Sequence, residues 1–243
     1  EFFMRNGVNV AVIGLGRAGE KHALVYDKLP FVNLVAVCDK DDHLVRRYSE
    51  LLGTTGYTDF RDLMDDPTVD AVSVVLPDTL HLDATKTALE RGKHILLEKP
   101  IASNMADAKQ ILDLAEQSNR VFMVAHILRH MPQHSLAQQR IAGGEIGDIV
   151  HIAARRNSTI AGARAYSSHH TDTSVHLMVH DIDYINWIVA SKVSKVFAKA
   201  RQILLRKYDM NDTVIAMLEY ENGVIATLEA CWILPDNSPR ELD

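Results

Sequence analysis

The sequence predicts an α/β chain whose first half is a doubly wound parallel sheet and whose second half is an α+β domain with a largely antiparallel open sheet. Three observations carry this expectation. Over residues 1–125 short apolar runs take turns with helical segments, and the runs lack the apolar–polar alternation of strands with one wet face. A glycine-rich turn, Gly14-Leu15-Gly16-Arg17-Ala18-Gly19, follows the first run and opens the first helix. Beyond residue 126 strand candidates are joined by Glu221-Asn222-Gly223, a hairpin signal because Asn and Gly both tolerate positive φ.

Each element has its own reason. Val8–Ile13 is short and β-branched, so it reads as a buried strand. Residues 18–29 read as a helix that Pro30 stops, and Val32–Cys38 as a second strand. Residues 41–52 form a helix ending at Gly53, followed by a short strand near 56–58 and a short helix at 60–64. Residues 71–76 are strand, 79–91 helix ended by Gly92, and His94–Leu97 strand. Residues 103–118 are helix with Ser103 as N-cap, and 121–125 the last strand of this half. In the second half Pro132–Ala142 is helix and 148–156 strand. The polar stretch 157–170 reads as loop, and 171–189 as one long helix. Strands are expected at 195–205, Thr213–Tyr220 and 224–232. The domains are therefore 1–125 and 126–243, the second expected to be incomplete at its C-terminus.

Composition narrows the function classes. Apolar residues make up 47% and charged residues 24% of the 243, a globular balance. A net charge of −6 argues against a general nucleic-acid binder. Cys38 and Cys231 make no disulfide framework, which fits a reducing cytoplasmic home. No apolar run approaches the roughly 18 residues of a membrane span. Glu1-Phe2-Phe3 before Met4 reads as a vector remnant. Histidine is concentrated: eight of the twelve lie between His126 and His180.

The glycine turn is chemically specific. Gly14 permits a tight turn, Gly16 lets backbone N–H groups approach a pyrophosphate, and Gly19 lets helix pack on strand; Leu15, Arg17 and Ala18 complete the loop. The helix N-terminus then faces the negative charge. Asp39 ends the second strand, 20 residues after Gly19. A carboxylate there accepts from ribose hydroxyls and repels a 2′-phosphate, which favours NAD over NADP, with the neighbouring Lys40 softening the preference. Two loops leave strand C-terminal ends, where ligands of open parallel sheets bind. They are Leu76-Pro77-Asp78-Thr79-Leu80-His81 and Glu98-Lys99-Pro100, which adds Leu76, Pro77, His81, Glu98 and Lys99 to the cofactor candidates. Lys99 stands in an apolar setting where burial lowers a lysine pKa, or is a surface lysine in a turn.

These residues, with the Gly144-Glu145-Ile146-Gly147 turn and His180-Asp181-Ile182-Asp183, resemble the Gfo/Idh/MocA oxidoreductases from about Val8 to the end. The resemblance implies a Rossmann domain followed by an α/β domain whose open sheet builds homodimers or homotetramers. It implies NAD(P)-dependent oxidation or reduction of secondary alcohols of sugars, cyclitols and related polyols. It puts Lys99 near nicotinamide and substrate, with a cis Lys99–Pro100 peptide, and gives His180 the part of acid/base. A member's chain is usually longer, which implies a missing C-terminal piece here.

One departure stands out. The family usually has Asp four residues before that histidine, and here the position is His176, with Asp172 four residues earlier. In another register Asp172 and His176 are themselves the Asp-x-x-x-His pair, as in the inositol dehydrogenases; the His-Asp-Ile-Asp run favours His180. On one helix Asp172, His176 and His180 share a face. Histidine suits general base work because its ordinary pKa, about 6.5, lies near the operating pH. Lys99 then stabilises the alkoxide, and His176 relays a proton or binds substrate. The same helical stripe, with His169 and His170 nearby, also admits a metal reading, set against a bland reading of exposed histidines; no metal is the expectation. His126 and Arg129 are substrate-binding candidates, Arg129 being alternatively a helix-start salt bridge. Arg155 and Arg156 read as sheet neighbours' partners, and Trp187 and Trp232 as core. Two other functions stay open: a non-catalytic NAD-binding regulator, and a lyase or hydrolase with transient redox.

Overall fold

The computed structural model describes residues 7–166 and 172–238. Outside them lie Glu1-Phe2-Phe3, His169, His170, the rest of the expected loop beyond 166, Thr171 and Pro239. The chain divides into two compact units, 1–125 and 126–243.

The first unit is a six-stranded parallel sheet in the order β3-β2-β1-β4-β5-β6. Its strands are β1 (Val8–Ile13), β2 (Val32–Cys38), β3 (Thr55–Tyr57), β4 (Ala71–Val74), β5 (His94–Leu97) and β6 (Phe122–Val124). Helices α1 (Arg17–Tyr26), α2 (Asp42–Leu52), α3 (Phe60–Asp65), α4 (His81–Glu90) and α5 (Met105–Gln117) connect them. Successive residues of one strand feed opposite cores: Ile13 packs with Leu63, Met64, Leu97 and Ile111, and Val12 with Ala23, Val37, Val45 and Tyr48. That two-sided burial is why the runs read as unbroken apolar stretches.

Two boundaries in this half differ from expectation. Helix α1 ends at Tyr26, before Pro30, because the chain tightens into bonds from Lys28 N–H to Val25 O and Leu29 N–H to Tyr26 O. The cap of α5 is Asn104, whose side chain accepts from Asp107 N–H, and not Ser103. The Asp78–Leu80 segment is a 3-10 turn leading into α4.

The second unit holds a sheet in the order β7-β10-β9-β8. Its strands are β7 (His151–Thr159), β8 (Val193–Arg201), β9 (Thr213–Tyr220) and β10 (Ile225–Leu234). β8–β9 and β9–β10 pair antiparallel, whereas β10 and β7 pair parallel. On β9 Val214, Ala216, Leu218 and Tyr220 are buried and Ile215, Met217 and Glu219 exposed. The buried face packs against α7 (Ile160–Tyr166), α8 (Thr173–His176) and α9 (Met178–Val189); α6 (Pro132–Ala142) precedes β7.

The largest corrections fall here. The expected loop after residue 156 is instead the end of β7 and helix α7, where Ala163 is fully buried in the core. The expected long helix is broken at Leu177. Asp172 stands outside α8 as its N-cap, so Asp172, His176 and His180 do not form one helical stripe. In the hairpin only Gly223 has positive φ, at 86°. Gly223 N–H donates to Tyr220 O and Tyr220 N–H to Val224 O, which makes a type I turn closed by a glycine bulge.

Candidate active site

The phosphate loop divides its residues by exposure. Gly14, Leu15 and Gly19 are buried, and Gly16, Arg17 and Ala18 are exposed. Gly14 has φ 94°, and a Cβ there would meet Val75 O at 2.3 Å. A Cβ on Gly19 would meet Gly14 O at 1.7 Å, while one on Gly16 would meet nothing within 4 Å. Gly16 caps α1 without a side chain, so no cap takes the N–H groups of the first helical turn. An open glycine beneath a helix N-terminus fits a pyrophosphate. The residues that would hold it are Gly16, Arg17 and Ala18. Leu15 serves otherwise: its side chain is core, and its N–H donates to Asp39 Oδ2 at 2.7 Å.

Asp39, expected as the ribose acceptor, thus also braces the glycine loop. Its Oδ1 accepts Asp41 N–H at 2.9 Å. Both oxygens keep lone pairs for ribose hydroxyls. Lys40 is exposed beside it.

The two loops at the strand ends are joined by His81, which is 1% exposed. Its Nδ1 lies 2.9 Å from Pro100 O and its Nε2 2.9 Å from Leu76 O. Its two ring nitrogens face carbonyls of the two loops, which places His81 to hold them together. Leu76 packs on the core, and Pro77 starts the 3-10 turn. The Lys99–Pro100 peptide is cis. Lys99 is half-buried, and its N–H donates to Glu98 Oε2 at 3.0 Å. Glu98 Oε1 lies 3.2 Å from His22 Nε2. Burial pushes the Glu98 carboxyl up, but bonds from His22 and the Lys99 N–H, with the charges of both residues, hold it below the ordinary carboxylate range. His22 was missed in the sequence. Its signal was Ser73, a lone polar residue in a buried apolar strand, which lies 2.7 Å from His22 Nδ1.

In the second unit, α9 is held on both sides of His180. Asp181 accepts from Arg156 through Nε and Nη2, each at 2.9 Å, with both side chains largely buried. Asp183 accepts from Arg129 Nε at 2.8 Å and Nη2 at 2.6 Å. His126 Nδ1 is 3.7 Å from the same carboxylate. Arg129 therefore takes the salt-bridge alternative, and its guanidinium also lies over the half-buried Trp187. Arg155 faces Glu229 on the neighbouring strand at 3.3 Å.

Asp172 is saturated structurally. It accepts from Ser174 N–H and Oγ–H and from Asn211 N–H and Nδ2–H. Burial raises its pKa, but those donors outweigh it and leave the carboxyl below its ordinary value. His176 stacks with Tyr166 at 4.1 Å and Trp232 at 5.6 Å between ring centres, while Trp232 itself is core. In the structure Asp172 caps α8 and His176 lies against two aromatic rings. Among the described residues no cluster of metal-ligating side chains occurs.

The profile described as the oxidoreductase family with an NAD-binding Rossmann fold matches residues 8–126, and the Gfo/Idh/MocA C-terminal domain matches residues 134–242. The chain belongs to the Gfo/Idh/MocA family. It is an NAD-binding oxidoreductase by that membership. Among its relatives, the scyllo-inositol 2-dehydrogenase (NAD(+)) of Bacillus subtilis (strain 168) is 26% identical over 232 residues, covering 93% of this chain and 68% of the relative. The crystal structure of myo-inositol 2-dehydrogenase from Lactobacillus plantarum superposes with a TM-score of 0.89 at 26% identity, over 95% of this chain and 71% of that one. The scyllo-inositol dehydrogenase from Lactobacillus casei, with bound NAD(H) and scyllo-inositol, gives 0.87 at 26% identity over the same shares. Among the described residues no helix is long and apolar enough to cross a membrane.

Proposed function

We propose that the chain is an NAD-dependent dehydrogenase of a cyclitol or related polyol, with His180 as acid/base and Lys99 orienting the hydroxyl. The observation that supports this most is the setting of His180. It stands in the first turn of α9, flanked by Asp181 and Asp183, whose pairs with Arg156 and Arg129 anchor the helix. The similarity to inositol dehydrogenases supports the substrate class.

Bound NAD supplies the hydride acceptor. The exposed N–H groups of Gly16, Arg17 and Ala18 receive its pyrophosphate, and Asp39 receives the adenosine ribose. His180 takes the proton of the reacting hydroxyl, and the Lys99 ammonium stabilises the oxygen as negative charge develops. His126 and Arg129 shape the substrate side through Asp183. Incubation with NAD and a panel of inositols and sugar alcohols should give NADH absorbance with at least one inositol, and a weaker rate with NADP. Absence of turnover with retained NADH binding would return the regulatory reading.

We also propose that the exposed sheet face pairs with a second copy. Across it run Phe197, Met217, Thr227 and Ala153, flanked by Ile215 and Ile225. An apolar face of this kind, interspersed with Lys195, Glu219 and Arg155, marks a protein interface. Light scattering should give a mass of two or four chains; a monomer at micromolar concentration would refute the pairing.

A further inference from the structure

Resting on the reading of Lys99 just given, we propose that His22 is a positioning residue for Lys99, acting along a hydrogen-bonded line from helix α1 through Glu98 to the Lys99 backbone. The line lies wholly within the first unit. Its members come from three elements: His22 from α1, Ser73 from β4, and Glu98 with Lys99 from the end of β5. Ser73 Oγ lies 2.7 Å from His22 Nδ1. His22 Nε2 lies 3.2 Å from Glu98 Oε1, and Lys99 N–H donates to Glu98 Oε2 at 3.0 Å. His22 thus bridges Ser73 and the Glu98 carboxylate through its two ring nitrogens.

The two ends give the line its meaning. His22 is three residues beyond Gly19, on the helix whose N-terminus forms the phosphate loop. Glu98 grips the N–H of the residue whose ammonium is assigned to the substrate oxygen. A shift of α1 is thereby transmitted to Lys99 through one carboxylate rather than through loose packing. The charged and titratable groups facing Glu98 are His22 and Lys99; those facing His22 are Glu98 and, edge-on at 6.2 Å, Tyr26. The linkage sign follows. Glu98 is held ionised by its partners against a burial that favours the neutral form. Without His22 the carboxyl takes up its proton at higher pH, and the acid side of the rate profile moves up with it.

The test uses the cofactor-free protein and the enzyme in parallel. Carboxyl carbon NMR of Glu98 is followed against pH in wild type, His22→Phe and His22→Gln. The midpoint should rise by about one pH unit in His22→Phe. It should stay near wild type in His22→Gln, whose amide can still donate to Glu98. In turnover, His22→Phe should lose about tenfold in kcat with KM for NAD little changed, and His22→Gln should recover most of it. The double variant His22→Phe/Glu98→Gln should be no slower than Glu98→Gln alone, as expected for residues on one line. An unmoved Glu98 midpoint, or additive losses in the double variant, overturns the line itself. A Lys99→Met enzyme that keeps its rate overturns instead the reading on which the line rests. If His22→Phe does not fold, Glu98→Gln decides: it should lower kcat at unchanged KM, and an unchanged kcat refutes the proposal.

Discussion

Replacing His180 by alanine should lower kcat by about 10²- to 10⁴-fold, the usual worth of a positioned general base. NADH affinity should stay within about twofold, because the proposed ligands of the dinucleotide are the exposed part of the glycine loop and Asp39, all in the other unit. The helix itself should survive. Asp181 remains bound by Arg156 and Asp183 by Arg129, so the two anchors of α9 are untouched. Fluorescence titration with NADH and initial rates on the same preparation check both halves. Undiminished turnover would remove the role assigned to His180.

Gly19→Ala should abolish measurable NADH binding and lower the melting temperature by several degrees. The added Cβ would stand 1.7 Å from Gly14 O, backbone against backbone, and nothing flexible can yield there. Relief requires α1 to lift from β1, which displaces the helix N-terminus. Overpacking of this sort costs about 1–3 kcal/mol, and each kcal/mol is about 2–4 °C in a domain of 150–250 residues. Gly16→Ala makes the contrast, since its Cβ meets nothing within 4 Å. That variant should keep its melting temperature and lose affinity only, because the methyl occupies the space a pyrophosphate needs. Calorimetry beside NADH titration separates the two; equal behaviour of both variants would contradict the division of the loop into packed and open glycines.

The first unit was largely legible because its signals are local. A strand, three glycines, a helix and an acid follow one another in sequence, and burial on both faces leaves an unmistakable apolar run at Val8–Ile13 and Val32–Cys38. The second unit hid what depends on distant partners. Residues 157–166 look polar, yet Gly162 lets α7 close on Trp232, where a Cβ would come within 2.7 Å of the indole. Asp172 looked like a member of a helical stripe because its true partner, Asn211, is 39 positions away. His176 looked like a substituted catalytic group, but Tyr166 and Trp232 decide its surroundings. His81 was placed in the right loop, but no sequence spacing announces that its two nitrogens meet carbonyls of both loops. His22 escaped notice because its line runs between strands that are separate in sequence and adjacent only in the sheet.

The bond from Leu15 N–H to Asp39 has a bearing on descent. A lineage drifting toward a phosphorylated dinucleotide must discard this carboxylate, and in doing so it strips the glycine turn of its brace. The change in coenzyme is therefore epistatic. A substitute acceptor for that amide has to arise before, or together with, the loss of the acid. Asparagine, which retains a carbonyl oxygen in the same place, is the natural stepping stone, and serine is too short to be one.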